Sequence, residues 1–322
     1  MTTRAETTTT RGAQLQIGNY ILYVGFAVVF VFFAVVLYDR SFLTIGNLTN
    51  IARQTAMISI MAIGFTFVLS AGEIDLSIGA VVALSSLVTA LVLRDYGVWL
   101  AVPAGLGTGI IIGLVNGLIT TRVRIPSFLV TLGTLGIVNG LARWITSLKS
   151  IPVTDAGYTF VFGSGDLGPV PILFVWTGLA LLIGHLVLRK TAFGRQTLAT
   201  GGSRTAALYS GVKIDRIKTL SLVISAMSAA LAGMLYAGRL HGARYTLGEA
   251  DLLTVIAAVV IGGTSLFGGK GSVIGAVVGS LIMGIINNGL ILMGLTVAQQ
   301  MIFQGLIIIA AVSLTSRESA RR

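Results

Sequence analysis

The sequence predicts an all-α integral membrane protein with about ten transmembrane helices. Two features of its composition predict this class. Of the 322 residues, 55% are hydrophobic and 10% are charged, whereas a soluble domain carries roughly 25% charged residues. Uncharged runs also recur along the whole chain, and about 20 apolar residues are enough for a helix to cross a bilayer.

The apolar runs, taken in chain order, set the predicted helices. They are residues 17–38, 54–72, 76–93, 96–121, 125–142, 167–188, 219–238, 252–269 and 271–316. The last run is long enough for two helices with a turn near Gly294. We therefore predict one transmembrane domain over 17–316, between a disordered cytoplasmic tail at 1–16 and a cytoplasmic tail at 317–322.

The excess of basic residues indicates how the chain is oriented. In a soluble protein a net charge of +11 would suggest a nucleic-acid partner, but membrane proteins concentrate Lys and Arg in cytoplasmic loops. With the N-terminus inside and ten helices, fifteen of the 22 basic residues lie in cytoplasmic segments. The seven others are Arg40, Arg53, Arg94, Arg143, Lys149, Arg239 and Arg244. We expect a multi-pass inner-membrane protein with both termini in the cytoplasm and no nucleic-acid partner.

Short echoes along the chain predict an internal repeat. The motif GEIDL at 72–76 returns as GEADL at 248–252, 176 residues later. At a separation of 172 residues, Asn116-Gly117 returns as Asn288-Gly289, and Gly133 as Gly305. These echoes indicate two halves of five helices each. An odd number of helices per half places the halves in opposite orientations, as in many transporters.

Two acids, Glu73 and Asp75, follow an apolar run and are unusual at membrane depth. One reading is a helix break, in which Asp75 or Ser77 accepts hydrogen bonds from the free N–H groups of the next helix. The others are an ion-coupling site and an ordinary interfacial loop. The glycines Gly72 and Gly79, which let the backbone turn, favour the break.

A second interruption lies in IGGTSLFGGKGSVIGA at 261–276. Its paired glycines are Gly262, Gly263, Gly268 and Gly269. A phosphate-binding loop requires Ser or Thr after the lysine, but Lys270 is followed by Gly271. A broken or re-entrant helix, shielded from lipid by its neighbours, is the better interpretation.

Several polar and aromatic side chains inside the runs are candidates for a permeation path, because a polar solute needs amide groups and apolar walls. They are Gln54, Asn116, Phe128, Asn288 and Gln304. Interhelical hydrogen bonds explain the amides equally well.

Neither catalysis nor metal binding is predicted. The two histidines, His185 and His241, are far apart and belong to no catalytic motif, and the chain has no cysteine. We also find no nucleotide-binding motif, so uphill transport would draw on an ion gradient or on another chain. We expect neither enzymatic activity nor a metal site.

The segment 189–218 carries seven basic residues against one acid, Asp215. A plain basic cytoplasmic loop accounts for the charges. Its small-residue pattern, GGSRTAALYSGV at 201–212, suggests in addition a place where a soluble partner binds.

Three motifs together carry a family resemblance: GEIDLSIG at 72–79, GRQTLATGGSRTAALYSGV at 194–212 and IAAVVIGGTSLFGGKGSVIGAVVG at 256–279. They resemble the membrane permeases of bacterial ABC sugar importers of the ribose type. The resemblance implies a permease dimer, two cytoplasmic ATPase domains and an external sugar-binding protein. It also implies that a monosaccharide or related polyol is moved, and that ATP and magnesium are bound by the ATPase, with no cofactor on this chain.

By this resemblance, a short helix within 194–212 is the ATPase-docking segment, entered sharply at Gly201-Gly202. Small residues there would allow close approach of the partner, and arginines would pair with its acids. The residues concerned are Gly194, Arg195, Gly201, Gly202, Arg204, Ala206, Ala207, Ser210 and Gly211.

The chain departs from the family at two places. It has Ser203-Arg204 where such permeases usually carry Asn and an acid, and it has Glu249 and Asp251 slightly earlier than a usual Glu-Leu-Asp run. A different class remains open as the alternative, namely an ion-coupled secondary transporter that uses Glu73 and Asp75.

Overall fold

The computed structural model of the chain describes residues 22–320 and is helical throughout apart from short loops. The helices are α1 (Leu22–Val36), α2 (Ile45–Ser70), α3 (Ile78–Tyr96), α4 (Val98–Leu118), α5 (Ser127–Thr146), α6 (Ala156–Thr159), α7 (Ile172–Lys190), α8 (Ala192–Gly202), α9 (Arg204–Tyr209), α10 (Ile214–Arg239), α11 (Asp251–Ile261), α12 (Val273–Leu292) and α13 (Val297–Ala320). Four two-residue strands form two antiparallel pairs: β1 (Ile151–Pro152) with β4 (Gly242–Ala243), and β2 (Asp166–Leu167) with β3 (Val170–Pro171). The predicted tail at 1–16 lies outside the described residues.

Seven of these helices are long and apolar enough to cross a membrane: α2, α3, α4, α5, α7, α10 and α12. Three shorter apolar helices accompany them, namely α1, α11 and the first part of α13, Val297–Ala310. The predicted all-α membrane class is confirmed, whereas the count of about ten transmembrane helices stays a prediction. Helix α13 continues to Ala320 and so takes in most of the predicted tail at 317–322.

Helix α2 begins well before the predicted run at 54–72. The predicted run starts at Gln54, after the polar residues Asn50 and Arg53. The helix instead begins at Ile45, where the side chain of Thr44 caps it. The polar residues in its first turns are tolerated because Asn50 is exposed and Arg53 is half-buried, whereas α2 is buried from Thr55 onward.

The centre of the molecule is the antiparallel pair α2 and α10. The middle of each helix meets the other at Gly64 and Ser228, where a Cβ on the glycine would overlap the serine side chain. At one end, the Arg239 guanidinium donates to Asn50 Oδ1 at 3.4 Å. At the other end, Lys218 of α10 pairs with Glu73, just beyond α2.

The remaining helices are arranged about this pair in two matching sets. Helix α10 packs on α4 and α3 just as α2 packs on α12 and α11. Likewise α3 packs on α4 and α5, while α11 packs on α12 and α13. Exchanging α2, α3, α4 and α5 with α10, α11, α12 and α13 therefore preserves the pattern of contacts. Because α2 and α10 run in opposite directions, these two sets of four helices are inverted relative to each other. The predicted halves of five helices each stay a prediction.

A glycine stripe lets α4 approach α10 closely. A Cβ at Gly109, Gly113 or Gly117 would lie 2.5–2.7 Å from backbone atoms of α10. Small residues of this kind allow helices in lipid to pack by van der Waals contact, where no hydrophobic force draws them together.

Candidate functional site

The basic segment 189–218 contains the end of α7, the two short helices α8 and α9, and the beginning of α10. The Thr191 side chain accepts from the Gly194 N–H at 3.2 Å and so begins α8. The Ser203 side chain accepts from the Ala206 N–H at 3.3 Å and begins α9. Serine caps a helix about as well as asparagine, so Ser203 can replace the Asn expected at this position. Arg204 then occupies the first position of α9.

Most of the predicted docking residues lie at the surface of this segment, but not all do. Exposed positions are Arg195, Gly202, Arg204, Ala206, Ser210 and Gly211. Ala207, expected to offer close approach to a partner, is 2% exposed. It packs against Val212, Ile214 and Ile217 of its own chain. Gly194 is buried and Gly201 is half-buried. The buried Ala207 packs within its own chain, so close approach of a partner at Ala207 is not supported by this structure, and the other docking residues stay a prediction.

Two exposed apolar side chains on α9 were missed in the sequence. Leu208 is 61% exposed and Tyr209 is 86% exposed. Both residues can be seen in the sequence, where they directly follow Ala207 in a segment that carries seven basic residues. In a helix of this length only one side can face the chain, so burial of Ala207 turns Leu208 and Tyr209 outward. Adjacent exposed apolar groups in a charged segment make α9 a candidate interaction surface.

The glycine pair of α8 lies against the second glycine pair of the loop 262–272. A Cβ at Gly201 would overlap the carbonyl oxygen of Ser70 at the end of α2 and would lie 2.6 Å from the Gly269 nitrogen. The Gly269 N–H donates to the Ser70 carbonyl at 3.1 Å. Gly268 and Gly269 also have positive φ angles of 86° and 76°, which only glycine adopts at little cost. The two glycine motifs of the sequence therefore form one contact.

The first glycine pair of the loop ends helix α11. Gly262 packs against the backbone of Gly275 in α12, and Gly263 has a φ of 85°. The expected helix over 252–269 consequently stops at Ile261. The residues that follow form a non-helical loop until Ser272, whose side chain caps α12. The interpretation as a broken helix fits this geometry.

The linker 71–77 is the other break, between α2 and α3. Gly72 turns the chain with a φ of 77°. Asp75 is fully buried and accepts from the Ser77 N–H at 2.9 Å, from the Ser77 hydroxyl at 2.6 Å and from the Ser225 hydroxyl of α10 at 2.8 Å. Asp75 thus accepts from a backbone N–H as the helix-break reading expects. The Ser77 side chain makes no capping bond to α3.

Gly79, expected to turn the backbone, instead lies inside α3. A Cβ there would lie 2.5 Å from the Gly248 carbonyl oxygen. Gly248 lies just before α11, so the beginnings of α3 and α11 meet at this contact. The two echo motifs of the sequence, GEIDL and GEADL, are thereby brought together in space.

Two of the candidate path residues, Asn116 and Asn288, are closed off in this structure. Asn116 is 0% exposed; it donates to the Ser77 hydroxyl at 3.1 Å and accepts from the Thr134 hydroxyl at 2.6 Å. Asn288 is 4% exposed and exchanges two hydrogen bonds with Asn47, at 2.9 and 3.0 Å. The geometry favours the interhelical hydrogen-bond reading for both amides.

The other candidates have more open positions. Phe128 is 45% exposed. Gln54 and Gln304 are half-buried and bond to neighbouring amides, Gln54 to Asn50 at 3.4 Å and Gln304 to Asn287 at 3.0 Å. Among the residues that the structure describes, no group of three or more His, Cys, Asp or Glu could hold a metal ion.

Comparison of the sequence with known proteins places the chain in a family. Residues 47–312 match the family described as the permease component of branched-chain amino acid transport systems. A ribose import permease protein of Bacillus subtilis is 39% identical over 284 residues, covering 88% of each chain. A ribose import permease protein of Escherichia coli K12 is 35% identical, covering 86% of this chain and 88% of its own length.

A third relative transports a different sugar by its name. The L-arabinose transport system permease protein of Escherichia coli K12 is 35% identical over 295 residues, covering 91% of this chain and 89% of its own length. No solved structure matches the chain. The match over 266 residues and these identities show that the chain belongs to this family of transport permeases, as a multi-pass protein of the plasma membrane.

Proposed function

We propose that this chain is the permease subunit of an ABC importer that moves a monosaccharide or related polyol across the inner membrane. Its curated relatives are import permeases for ribose and arabinose. The observation that carries the proposal is helix α9, a capped helix with the exposed apolar residues Leu208 and Tyr209 at the end of a basic segment. Such a helix suits a groove on a soluble partner.

The partner that fits α9 is a cytoplasmic ABC ATPase. The chain has no nucleotide-binding motif of its own, so ATP and magnesium would be bound by that partner and no cofactor by the permease. Arg195 and Arg204 are exposed and would orient the ATPase through acidic groups on its surface. Closure of the ATPase pair would move α8 and α9 and open the solute path to alternate sides. The permease makes no covalent change to the solute, and an external sugar-binding protein delivers it.

A second copy of the chain is the proposed partner within the membrane. Helix α5 presents Gly133, Gly136 and Gly140 on an open side, where a Cβ would meet no other atom of the described residues within 4 Å. Leu132 and Ile137 are exposed beside them. Open glycines flanked by apolar side chains allow two helices to approach closely in lipid, which supports a homodimer.

The ion-coupled alternative would use Glu73 and Asp75. In this structure both carboxylates already have partners, Glu73 with Lys218 and Asp75 with three hydrogen-bond donors. A carboxylate that must bind and release a proton or ion needs a free and accessible state. The geometry therefore favours a structural role for these two acids.

Reconstituted transport separates the two classes. Proteoliposomes that contain the chain, its ATPase and its binding protein should take up labelled sugar only when ATP is supplied, and an ionophore should leave uptake unchanged. Vesicles with the chain alone should show none. Uptake by the chain alone that an ionophore collapses, and that Glu73→Gln abolishes, would contradict the ABC assignment.

A further inference from the structure

One of the seven basic residues of segment 189–218 differs from the others in its surroundings. Six of them are exposed: Arg189, Lys190, Arg195, Arg204, Lys213 and Arg216. Lys218 is instead shielded, with 17% of its side chain exposed, and it forms an ion pair with Glu73, whose side chain is 8% exposed. The preference for basic residues in cytoplasmic loops explains the exposed six. It does not explain a lysine turned inward against an acid.

The ion pair joins the last residue of the basic segment to the linker 71–77. A shielded charge is costly when it is left alone, so Glu73 and Lys218 hold each other in place. Lys218 lies in the first turns of α10, directly after α9 and its connection, so a displacement of α9 acts on Lys218 through the beginning of α10. Helix α8 also contacts the end of α2 directly, at Gly201. The pair is thus a direct link between the docking helices and the break before α3.

The rest of the linker is held against helices that do not belong to the docking segment. The Ile74 N–H donates to the Ser127 hydroxyl and the Leu76 N–H donates to the Thr131 hydroxyl, each at 3.0 Å. Both hydroxyls belong to α5. The linker is therefore held from two sides, by α5 and by α10. A displacement of Glu73 would move the whole linker 71–77.

The far end of the linker leads to the contact between the two halves. Three residues after Asp75 the chain enters α3, where Gly79 abuts Gly248 at the beginning of α11. The contact between Gly79 and Gly248 leaves no room for a methyl group. A shift of α3 must therefore either separate α3 from α11 or slide α3 along α11.

We propose that Glu73 and Lys218 are positioning residues that carry movement of α8 and α9, through the linker 71–77, to the contact between α3 and α11. This inference rests on the proposed function for the source of that movement. It adds a specific ion pair as the connection between ATP use and the break in the membrane helices.

The test measures coupling in the full complex with its ATPase and binding protein, in proteoliposomes. Lys218→Met and Glu73→Gln each remove one charge, and the double exchange Glu73→Lys with Lys218→Glu restores a pair of reversed sense. We expect each single variant to lower the number of sugar molecules moved per ATP hydrolysed at least fivefold, with ATPase co-purification unchanged. The double exchange should recover the ratio to within about twofold of the unmodified complex. The control is Lys149→Met, an exposed lysine outside the segment, which should leave the ratio unchanged.

A second measurement needs no ATPase. Hydrogen exchange at the amides of residues 72–77, in the purified chain in lipid nanodiscs, should be at least tenfold faster in Lys218→Met and should slow again in the double exchange. The inference would be overturned if hydrogen exchange at residues 72–77 were the same in Lys218→Met as in the unmodified chain. It would also be overturned if the single variants moved as many sugar molecules per ATP as the unmodified complex. A double exchange no better than the single variants would overturn it too. The absence of ATP-dependent uptake by the unmodified complex is a different failure, because it contradicts the proposed function. Hydrogen exchange at residues 72–77 would still test whether the ion pair holds the linker.

Discussion

At Gly201 the absence of a side chain allows α8 to lie against the end of α2 and the loop 262–272. A Cβ would overlap the Ser70 carbonyl oxygen, whereas at Gly202 the nearest atom, the Gly269 Cα, is 3.7 Å away. Neighbouring glycines of one helix therefore have different roles. Neither their order nor their spacing in the sequence distinguishes them.

We expect Gly201→Ala to destabilise the protein by ~1–3 kcal/mol, because the methyl group forces backbone atoms apart in a packed contact. Gly202→Ala has room for its methyl group, and alanine favours a helix by up to about 1 kcal/mol over glycine, so this variant should be neutral or slightly more stable. Thermal unfolding of both variants in the same detergent measures the difference. Equal melting temperatures would contradict the close contact at Gly201.

Among the single elements, α9 has one buried residue, Ala207, and is otherwise exposed. Ala207 packs on Val212 and Ile217, and the adjacent Leu208 and Tyr209 point outward. The small residues of the segment suggested a place where a soluble partner binds, and the family resemblance implied that this partner is the ATPase. In the structure Leu208 and Tyr209 are exposed on α9 together with Arg204 and Ala206, whereas Ala207 is used for packing within the chain.

We expect Leu208→Asp to reduce co-purification of the ATPase at least tenfold, because a charge would face the apolar groove of the partner. Ala206→Asp, on an exposed position, should act in the same direction. Membrane insertion of both variants should stay normal. Leu167→Asp is a matched control, since Leu167 is 50% exposed and lies in the hairpin of β2 and β3, expected on the other side of the membrane. Retention of the ATPase by both α9 variants would exclude α9 as the docking element.

Ala207→Asp has a different expected outcome. It would bury a charge among Val212, Ile214 and Ile217, so the segment itself should lose order. Limited proteolysis between α7 and α10 reports this loss, and increased cleavage relative to Ala206→Asp is the expected result.

At the scale of the whole molecule, the two halves are related by the antiparallel pair α2 and α10. This arrangement requires α8 and α9 to lie on the opposite side of the membrane from the β2–β3 hairpin. Arg53, near the beginning of α2, pairs with Asp166 of that hairpin at 2.6 Å, whereas the end of α2 contacts Gly201 of α8. The excess of basic residues in segment 189–218 predicts that its side faces the cytoplasm.

The chain contains no cysteine, so this topology is tested with one cysteine at a time. We expect Ala206→Cys to react with a membrane-impermeant maleimide in inverted vesicles and not in intact cells, and Leu167→Cys to react in intact cells made permeable only at the outer membrane. Both positions are exposed, so failure to react reflects sidedness. Labelling of both cysteines from one side would contradict the inverted arrangement.

The amino-acid sequence is enough to predict the membrane class, the approximate position of each long helix, the two breaks, an internal repeat and the basic segment. These features follow from local physics, because apolar runs partition into lipid, glycines permit turns and charges select a side of the membrane. The residue pairs that come into contact can be seen only in the tertiary structure. It joined Gly201 to Gly269, turned Ala207 inward and closed Asn116 and Asn288 into interhelical hydrogen bonds.

The pairing of Glu73 with Lys218 is the clearest case of a feature that only the fold could reveal. The two residues are far apart in the chain and belong to motifs that the sequence presents separately. Their meeting depends on the register of α2 against α10, which is set by side-chain packing along the whole length of both helices. A sequence pattern reports the preference of each segment, whereas the partner of a buried charge is decided by how the segments pack.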